Sequence, residues 1–251
     1  MPHFFVQPGE ISDQLFQLKG DSAHHLIRVL RVKSHDPIFL FDGNGKRFEA
    51  IVKSVDVKNN FVNGQILKSS QDLPSRFSVR LLQGIPRGPK FDFVIEKSVE
   101  LGVTEIIPFF SEKNPVVWEG KKDNKVERWE RIVLSACEQS EHSYLPKIYS
   151  PCEFKELEKI IKQSSGSIIL DPLADKGSLK KTFSGWFKDQ NSERTEIFNI
   201  ITGPESGFSP IEVKTLQNWG AVSTSLGREI LRTETAGLAA LAMFKYAGET
   251  I

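Results

Sequence analysis

Two short segments hold most of the side chains able to take part in chemistry. The first is Ile200-Ile201-Thr202-Gly203-Pro204-Glu205-Ser206-Gly207-Phe208-Ser209. Its two glycines let backbone amides approach a ligand closely, and ligands of open α/β sheets bind beyond the carboxyl ends of strands. A cofactor loop and a plain tight turn both fit, because Gly-Pro and Ser-Gly are general turn dipeptides. The segment is neither a G-x-x-x-x-G-K-[ST] phosphate loop nor a G-x-G-x-x-G fingerprint, which removes support for nucleoside triphosphates and NAD. The second segment is Leu226-Gly227-Arg228-Glu229-Ile230-Leu231-Arg232-Thr233-Glu234-Thr235-Ala236. Its polar series Arg228, Glu229, Arg232, Thr233 and Glu234 is costly if buried unpaired and useful if it lines a site. Structural ion pairing is the competing reading.

Both segments need elements to hold them. The first leaves an apolar run, Ile197 to Thr202, and enters a helix with a well-marked start: Ser209 as N-cap, Pro210 at the first helical position and Glu212 closing a capping box. The second follows a short strand, Ala221 to Ser225, and runs into a helix of small residues, Ala236, Gly237, Ala239, Ala240 and Ala242, which permit close backbone packing. Upstream, Phe77 to Gln83 reads as a strand, Phe91 to Leu101 as a helix closed by Gly102, and Val103 to Phe110 as a strand. Lys125 to Ser140 and Glu153 to Gln163 read as helices, and Ser167 to Asp171 as a strand. This alternation predicts a parallel sheet covered on both faces. The polar stretch Lys113 to Glu130 is expected to contain a surface loop.

Residues 1–72 read as a smaller β-rich unit. Pro37 to Asp42 precedes the turn signal Asp42-Gly43-Asn44-Gly45, and Arg47 to Val57 and Phe61 to Leu67 continue as strands. Before them, Ser22 is expected to cap a helix with Leu26, Val29 and Leu30 on its apolar face. His24, Arg28 and Arg31 fall on another face, which is either a solvated surface or a basic contact. The polar stretch Gln71 to Ser75 divides this unit from residues 73–251.

Length and composition set the frame. A chain of 251 residues can form one large α/β domain or two smaller ones. With 33 Lys+Arg against 32 Asp+Glu, the net charge of +1 excludes a uniformly polycationic nucleic-acid binder but allows a local basic face. Two cysteines, Cys137 and Cys152, make neither a disulfide framework nor a four-ligand zinc site, so no metal is expected and a reducing compartment fits. No basic leader with an apolar core opens the sequence, and no window supplies the roughly 18 apolar residues of a membrane span, so a cytoplasmic location without a membrane partner is expected.

Taken in order, HHLIRVLR (His24 to Arg31), FDFVIEKSVELGVTEIIPFFSEKN (Phe91 to Asn114), RWERIVLSACEQS (Arg128 to Ser140), ITGPESGF and LGREILRTETA resemble the ribosomal RNA small subunit methyltransferase E family, of the SPOUT class of methyltransferases. The resemblance spans nearly the whole chain, and LGREILRTETA is its most specific piece. It implies an α/β fold in which a C-terminal SPOUT (trefoil-knot) domain, residues 73–251, follows a smaller N-terminal PUA-like β-barrel, residues 1–72, that engages RNA. It further implies a homodimer, S-adenosyl-L-methionine as cofactor, and methylation of N3 of one uridine in 16S ribosomal RNA or the small ribosomal subunit. The matching positions are Gly203, Pro204, Glu205 and Gly207 in the first loop and Leu226, Gly227, Ile230 and Leu231 in the second, with Leu170 at a third.

The family's arginine falls on Arg232 and its acid on Glu234, with Glu205 a further carboxylate for the proton or for positioning. RNA contact is assigned to Arg28 and Arg31, and secondarily to Arg87, Lys90 and Arg131. Ser206 stands where a second glycine is usual; a positive φ there would cost on the order of 1 kcal/mol. A SPOUT enzyme acting on another RNA, such as transfer RNA, and a catalytically impaired RNA-binding homologue are the alternatives.

Overall fold

The computed structural model describes residues 3–113, 122–175, 178–187 and 195–249. The chain divides into two compact units, Met1–Pro74 with Leu134–Leu145, and Ser75–Val133 with Pro146–Ile251.

The first unit contains strands β1 (His3–Phe5), β2 (Ile11–Ser12) and β3 (Leu15–Leu18), a short helix α1 (Gly20–His24), and strands β4 (Pro37–Phe41), β5 (Lys46–Asp56) and β6 (Phe61–Gln71). The strands form one sheet in the order β1-β4-β5-β6-β3-β2, with β1 parallel to β4 and the remaining neighbours antiparallel. Inward-facing side chains such as Phe4, Phe16, Leu40, Val52 and Val62 build its core around Leu26. The β4–β5 turn falls on the predicted residues. Gly43 and Gly45 take φ of 77° and 90°, and Asp42 Oδ1 accepts the backbone N–H groups of Asn44 and Lys46.

The segment after α1 departs from expectation. Ser22 lies inside α1 and caps nothing; Lys19 occupies the N-cap without a side-chain bond. A π-helical turn, His25–Val29, then widens the spiral, with Leu30 N–H donating to His25 O. The extra residue per turn rotates the following side chains, so Leu26 and Ile27 are buried whereas Val29 and Leu30 are 64% and 42% exposed. Arg31 follows in the left-handed region at φ 54°, so it does not continue a helical stripe from His24 and Arg28, although all three are exposed.

Leu134–Leu145 groups with this first unit, whereas a single break after residue 72 assigns it to the other one. The hydrogen bonds give the reason. Glu138 Oε1 accepts from Phe5 N at 3.2 Å, Asp72 Oδ2 accepts from Ser143 Oγ at 2.5 Å and from Arg47 Nε at 2.6 Å, and Gly45 N donates to Ser143 O at 3.0 Å. Gly45 has no room for a side chain, since a Cβ would fall 2.4 Å from the Tyr144 ring.

The second unit runs β7 (Phe77–Gly84), α2 (Lys90–Glu100), β8 (Glu105–Phe110), the part of α3 (Lys122–Ser140) up to Val133, β9 (Lys147–Ile148), β10 (Cys152–Glu153), α4 (Leu157–Lys162), β11 (Gly166–Leu170), α5 (Ser178–Trp186), β12 (Glu196–Thr202), α6 (Pro210–Asn218), β13 (Val222–Thr224) and α7 (Thr233–Glu249). The polar stretch from Lys113 to Glu130 is helical from Lys122; residues 114–121 of the expected loop lie outside the described residues. All strand pairs are parallel, in the order β10-β8-β7-β12-β11-β13, with β9 also beside β8.

Both faces of this sheet are covered, so apolar residues occupy consecutive positions, as at Leu81-Leu82, Ile106-Ile107, Ile168-Ile169 and Ile200-Ile201. Leu82, Ile107, Phe109, Ile169 and Ile201 face one layer with Leu157, Ile161 and Leu216. On the other face Phe198 packs against Trp186, Phe187 and Phe244 in an aromatic cluster that joins β12, α5 and α7. Among the described residues no helix is long and apolar enough to cross a membrane.

Candidate functional site

The helix that follows the first loop starts as its sequence predicts. Ser209 Oγ accepts from Glu212 N at 3.2 Å while Ser209 N donates to Glu212 Oε2 at 2.8 Å. The box is itself held from the segment just after β8: Glu112 N donates to Glu212 Oε1 and Ser209 Oγ donates to Glu112 Oε2, each at 2.8 Å. These bonds fix where α6 begins and so where the loop Gly203–Phe208 must end. Within that loop Gly207 takes φ 65°, whereas Ser206 is not among the residues at positive φ. The strain expected at Ser206 is therefore absent, and its hydroxyl instead donates to Lys113 O at 2.7 Å.

Beyond the carboxyl ends of β11, β12 and β13 lies a cleft of about 1010 Å³. Leu170 comes to it from β11, Gly203, Pro204, Glu205 and Gly207 from the first loop, and Leu226, Ile230, Leu231, Arg232 and Glu234 from the second. Gly227, at φ 144°, does not line it; Ser225 Oγ donates to Gly227 O at 2.9 Å and turns the second loop there. Ile230 is 80% exposed and Leu231 36%, so these aliphatic side chains have little packing of their own.

Charge at the cleft centres on Lys90, the first residue of α2. Its Nζ lies 3.1 Å from Glu205 Oε1 and 3.7 Å from Glu234 Oε2. Arg87 contributes its backbone, whose N–H donates to Glu205 Oε1 at 3.0 Å. Burial pushes the Glu205 carboxyl up, but the backbone N–H groups of Arg87 and Glu205 and the Lys90 ammonium outweigh it and hold the group below the usual carboxylate range. Glu234 Oε1 lies 3.9 Å from Arg232 Nη1, and the Arg232 side chain is 82% exposed. The arrangement is thus two carboxylates bridged by one ammonium, with a guanidinium reaching outward from them.

Of the residues expected to contact RNA, Arg28 and Arg31 are exposed in the first unit, and Arg87, Lys90 and Arg131 belong to the second. Lys90 has two carboxylate partners at the cleft, a pairing the sequence reading did not foresee. Thr233, one of the polar series of the second segment, also lines the cleft, and so does Thr202, which was missed. The only sequence signal for Thr202 was its place as the last residue before Gly203, where a strand's final side chain meets the loop.

Comparison with known proteins bears on the domains and the fold. A model of the RNA methyltransferase domain matches residues 73–245, and one of the RNA methyltransferase PUA domain matches residues 18–59. Ribosomal RNA small subunit methyltransferase E of Buchnera aphidicola (subspecies Schizaphis graminum) is 30% identical over 246 residues, covering 96% of this chain and 94% of the relative. The protein of the same name from Bacillus subtilis is 29% identical over 240 residues, covering 94% and 91%. The crystal structure of a ribosomal RNA small subunit methyltransferase E from Neisseria gonorrhoeae bound to S-adenosyl methionine superposes with a TM-score of 0.82 at 32% identity, over 98% of this chain and 97% of that one. On its sequence, its domain content and its fold, the chain belongs to the ribosomal RNA small subunit methyltransferase E family of RNA methyltransferases.

Proposed function

We propose that this protein transfers a methyl group from S-adenosyl-L-methionine to N3 of one uridine in 16S ribosomal RNA. The observation that carries the reading is the convergence of both family loops on one cleft. The residues present suit the cofactor. Leu170, Leu226, Ile230 and Leu231 would offer apolar surface for a flat purine. When bound, the cofactor supplies an electrophilic methyl on sulfur.

The protein's own task is to align uracil N3 with that methyl and to stabilise the charge that develops on the base as its N3 proton is lost. Arg232 carries a permanent, forked positive charge at the cleft and is assigned to a uracil oxygen. Glu234 Oε1 lies within ion-pair reach of the outward-facing guanidinium, and Glu205, held anionic beside Lys90, anchors that ammonium. A carboxylate with a depressed pKa is a weak base, so Glu205 is assigned to positioning.

On the same reading, residues 1–72 form a PUA-like barrel that takes the RNA, with Arg28 and Arg31 positioning phosphates. The second domain threads as a trefoil knot, the enzyme works in the cytoplasm, and two copies pair with a site at their interface. The exposed apolar side chains Ile230, Met243 and Tyr246 of the second unit support the pairing.

Mass spectrometry of ribosomal RNA from cells with and without the gene tests the proposal. Loss of one N3-methyluridine from 16S RNA is expected. An unchanged 16S profile, or a methyl lost from transfer RNA instead, rules it out. In vitro, Arg232→Ala should lower methyl transfer about 10²-fold, the loss typical of one removed charge-stabilising group.

A further inference from the structure

Gln83, near the end of β7, is wholly buried, yet its Oε1 has no hydrogen-bond partner, and neither has Thr202 Oγ1 near it. Alternation along the strands puts both beneath α7. A Cβ on Gly237 would lie 3.2 Å from Thr202 Oγ1 and 3.5 Å from Gln83 Oε1. An apolar side chain would avoid the orphaned acceptor, so the nitrogen end of the amide has to account for its presence.

Gln83 Nε2 donates to Gly84 O and to Thr233 Oγ1, both at 2.9 Å. Gly84 O can only accept, so turning the amide over would set two acceptors against each other, and the orientation is fixed. The Thr233 hydroxyl, having accepted, donates to Gly203 O at 2.5 Å. A directed chain therefore runs from the end of β7, through the residue between Arg232 and Glu234, to the first residue of the Gly203–Gly207 loop.

We infer that Gln83 and Thr233 are positioning residues for methyl transfer. Their hydrogen bonds lock the Gly203–Pro204 peptide to the start of α7, so that the two cleft loops keep one mutual geometry. The inference rests on the cleft's being the S-adenosyl-L-methionine site.

The test is calorimetry with S-adenosyl-L-methionine alongside steady-state methyl transfer to 16S RNA, on folded protein checked by circular dichroism. Thr233→Val removes the hydroxyl at nearly constant volume and should weaken cofactor binding about tenfold, with a matching rise in the cofactor KM and an unchanged KM for RNA. Thr233→Ser keeps the hydroxyl and should restore both values. Gln83→Met leaves the hydroxyl but frees its orientation and should weaken binding about threefold; it also decides the matter if Thr233→Val does not fold. Wild-type cofactor affinity in Thr233→Val or in Gln83→Met, accompanied only by lower thermal stability, overturns the inference. Wild-type protein that binds no cofactor at millimolar concentration overturns the underlying reading instead.

Discussion

Replacing Gly84 with alanine should disable the cleft although Gly84 itself does not line it. Gly84 closes β7 where the first loop crosses it, and a Cβ there would lie 2.6 Å from Pro204 N, 2.7 Å from Pro204 Cδ and 2.9 Å from Gly203 C. Unstrained carbon contacts sit at about 3.5–4.0 Å. The obstructing atoms are backbone and a proline ring, so no side chain can swing aside, and the loop must retreat on the order of 1 Å. Overpacking of this kind costs about 1–3 kcal/mol. A misplacement of ~1 Å in a positioning element can cost about 10²-fold in rate. We therefore expect Gly84→Ala to lower single-turnover methyl transfer by one to two orders of magnitude and to weaken S-adenosyl-L-methionine binding in calorimetry. Gly185→Ala is the control. Gly185 lies in α5 with nothing within 4 Å of the added Cβ, and the change should be neutral or stabilise by about 0.5–1 kcal/mol. Wild-type cofactor affinity and turnover in Gly84→Ala would refute the claim that the loop is set by contact with the end of β7.

Two further outcomes concern the first unit and the thiols. Burial pushes the Glu138 carboxyl above its ordinary value, an effect the bonds from Phe5 and Ser22 only partly offset. The unfolded chain then loses this proton first, so stability falls as pH rises from the ordinary glutamic-acid value through the folded one. Glu138→Gln, which can still accept from Phe5 N, should be more stable than wild type near pH 7 in urea denaturation, and indistinguishable from it near pH 4; a pH-independent difference would count against this origin. Burial, with a smaller push from Glu138, raises the Cys137 thiol to about 12, and burial with Glu156 raises Cys152 to about 11. At pH 8 the native protein should react with a disulfide thiol reagent at least about 100-fold more slowly than free cysteine, and fully once unfolded in urea; rapid native labelling would contradict this.

The features readable in the sequence are those whose cause is local. Ser209, Pro210 and Glu212 announce α6 because a capping box closes within four residues, and the runs Phe77 to Gln83 and Ile197 to Thr202 announce buried strands by consecutive apolar residues, Leu81-Leu82 in one and Ile200-Ile201 in the other. The cleft loops were legible through the same local signals together with the family resemblance. What was hidden depends on distant partners or on a small change of pitch. Ser22 looked like a cap but lies inside α1, and the π turn after it left Leu26 buried while turning Val29 and Leu30 outward. Gln83 and Thr233 are 150 residues apart, and nothing in either neighbourhood points to the other. Helix α5 went unread because its apolar positions Leu179, Phe183 and Trp186 find their purpose only in the aromatic cluster with Phe198 and Phe244.

The grouping of Leu134–Leu145 with the N-terminal unit also has a consequence for synthesis. As the chain leaves the ribosome, residues up to Pro74 lack Glu138 for the Phe5 amide, and Asp72 and Gly45 lack Ser143. Those partners emerge about seventy residues later, a delay of roughly 4–14 s at ordinary elongation rates. During that interval the sheet is formed from an incomplete set of parts. The N-terminal unit still finishes before the second one, which needs α7 at Thr233–Glu249, but not as soon as its own strands are made, and any pause in translation between codons 75 and 145 prolongs the life of its unfinished state.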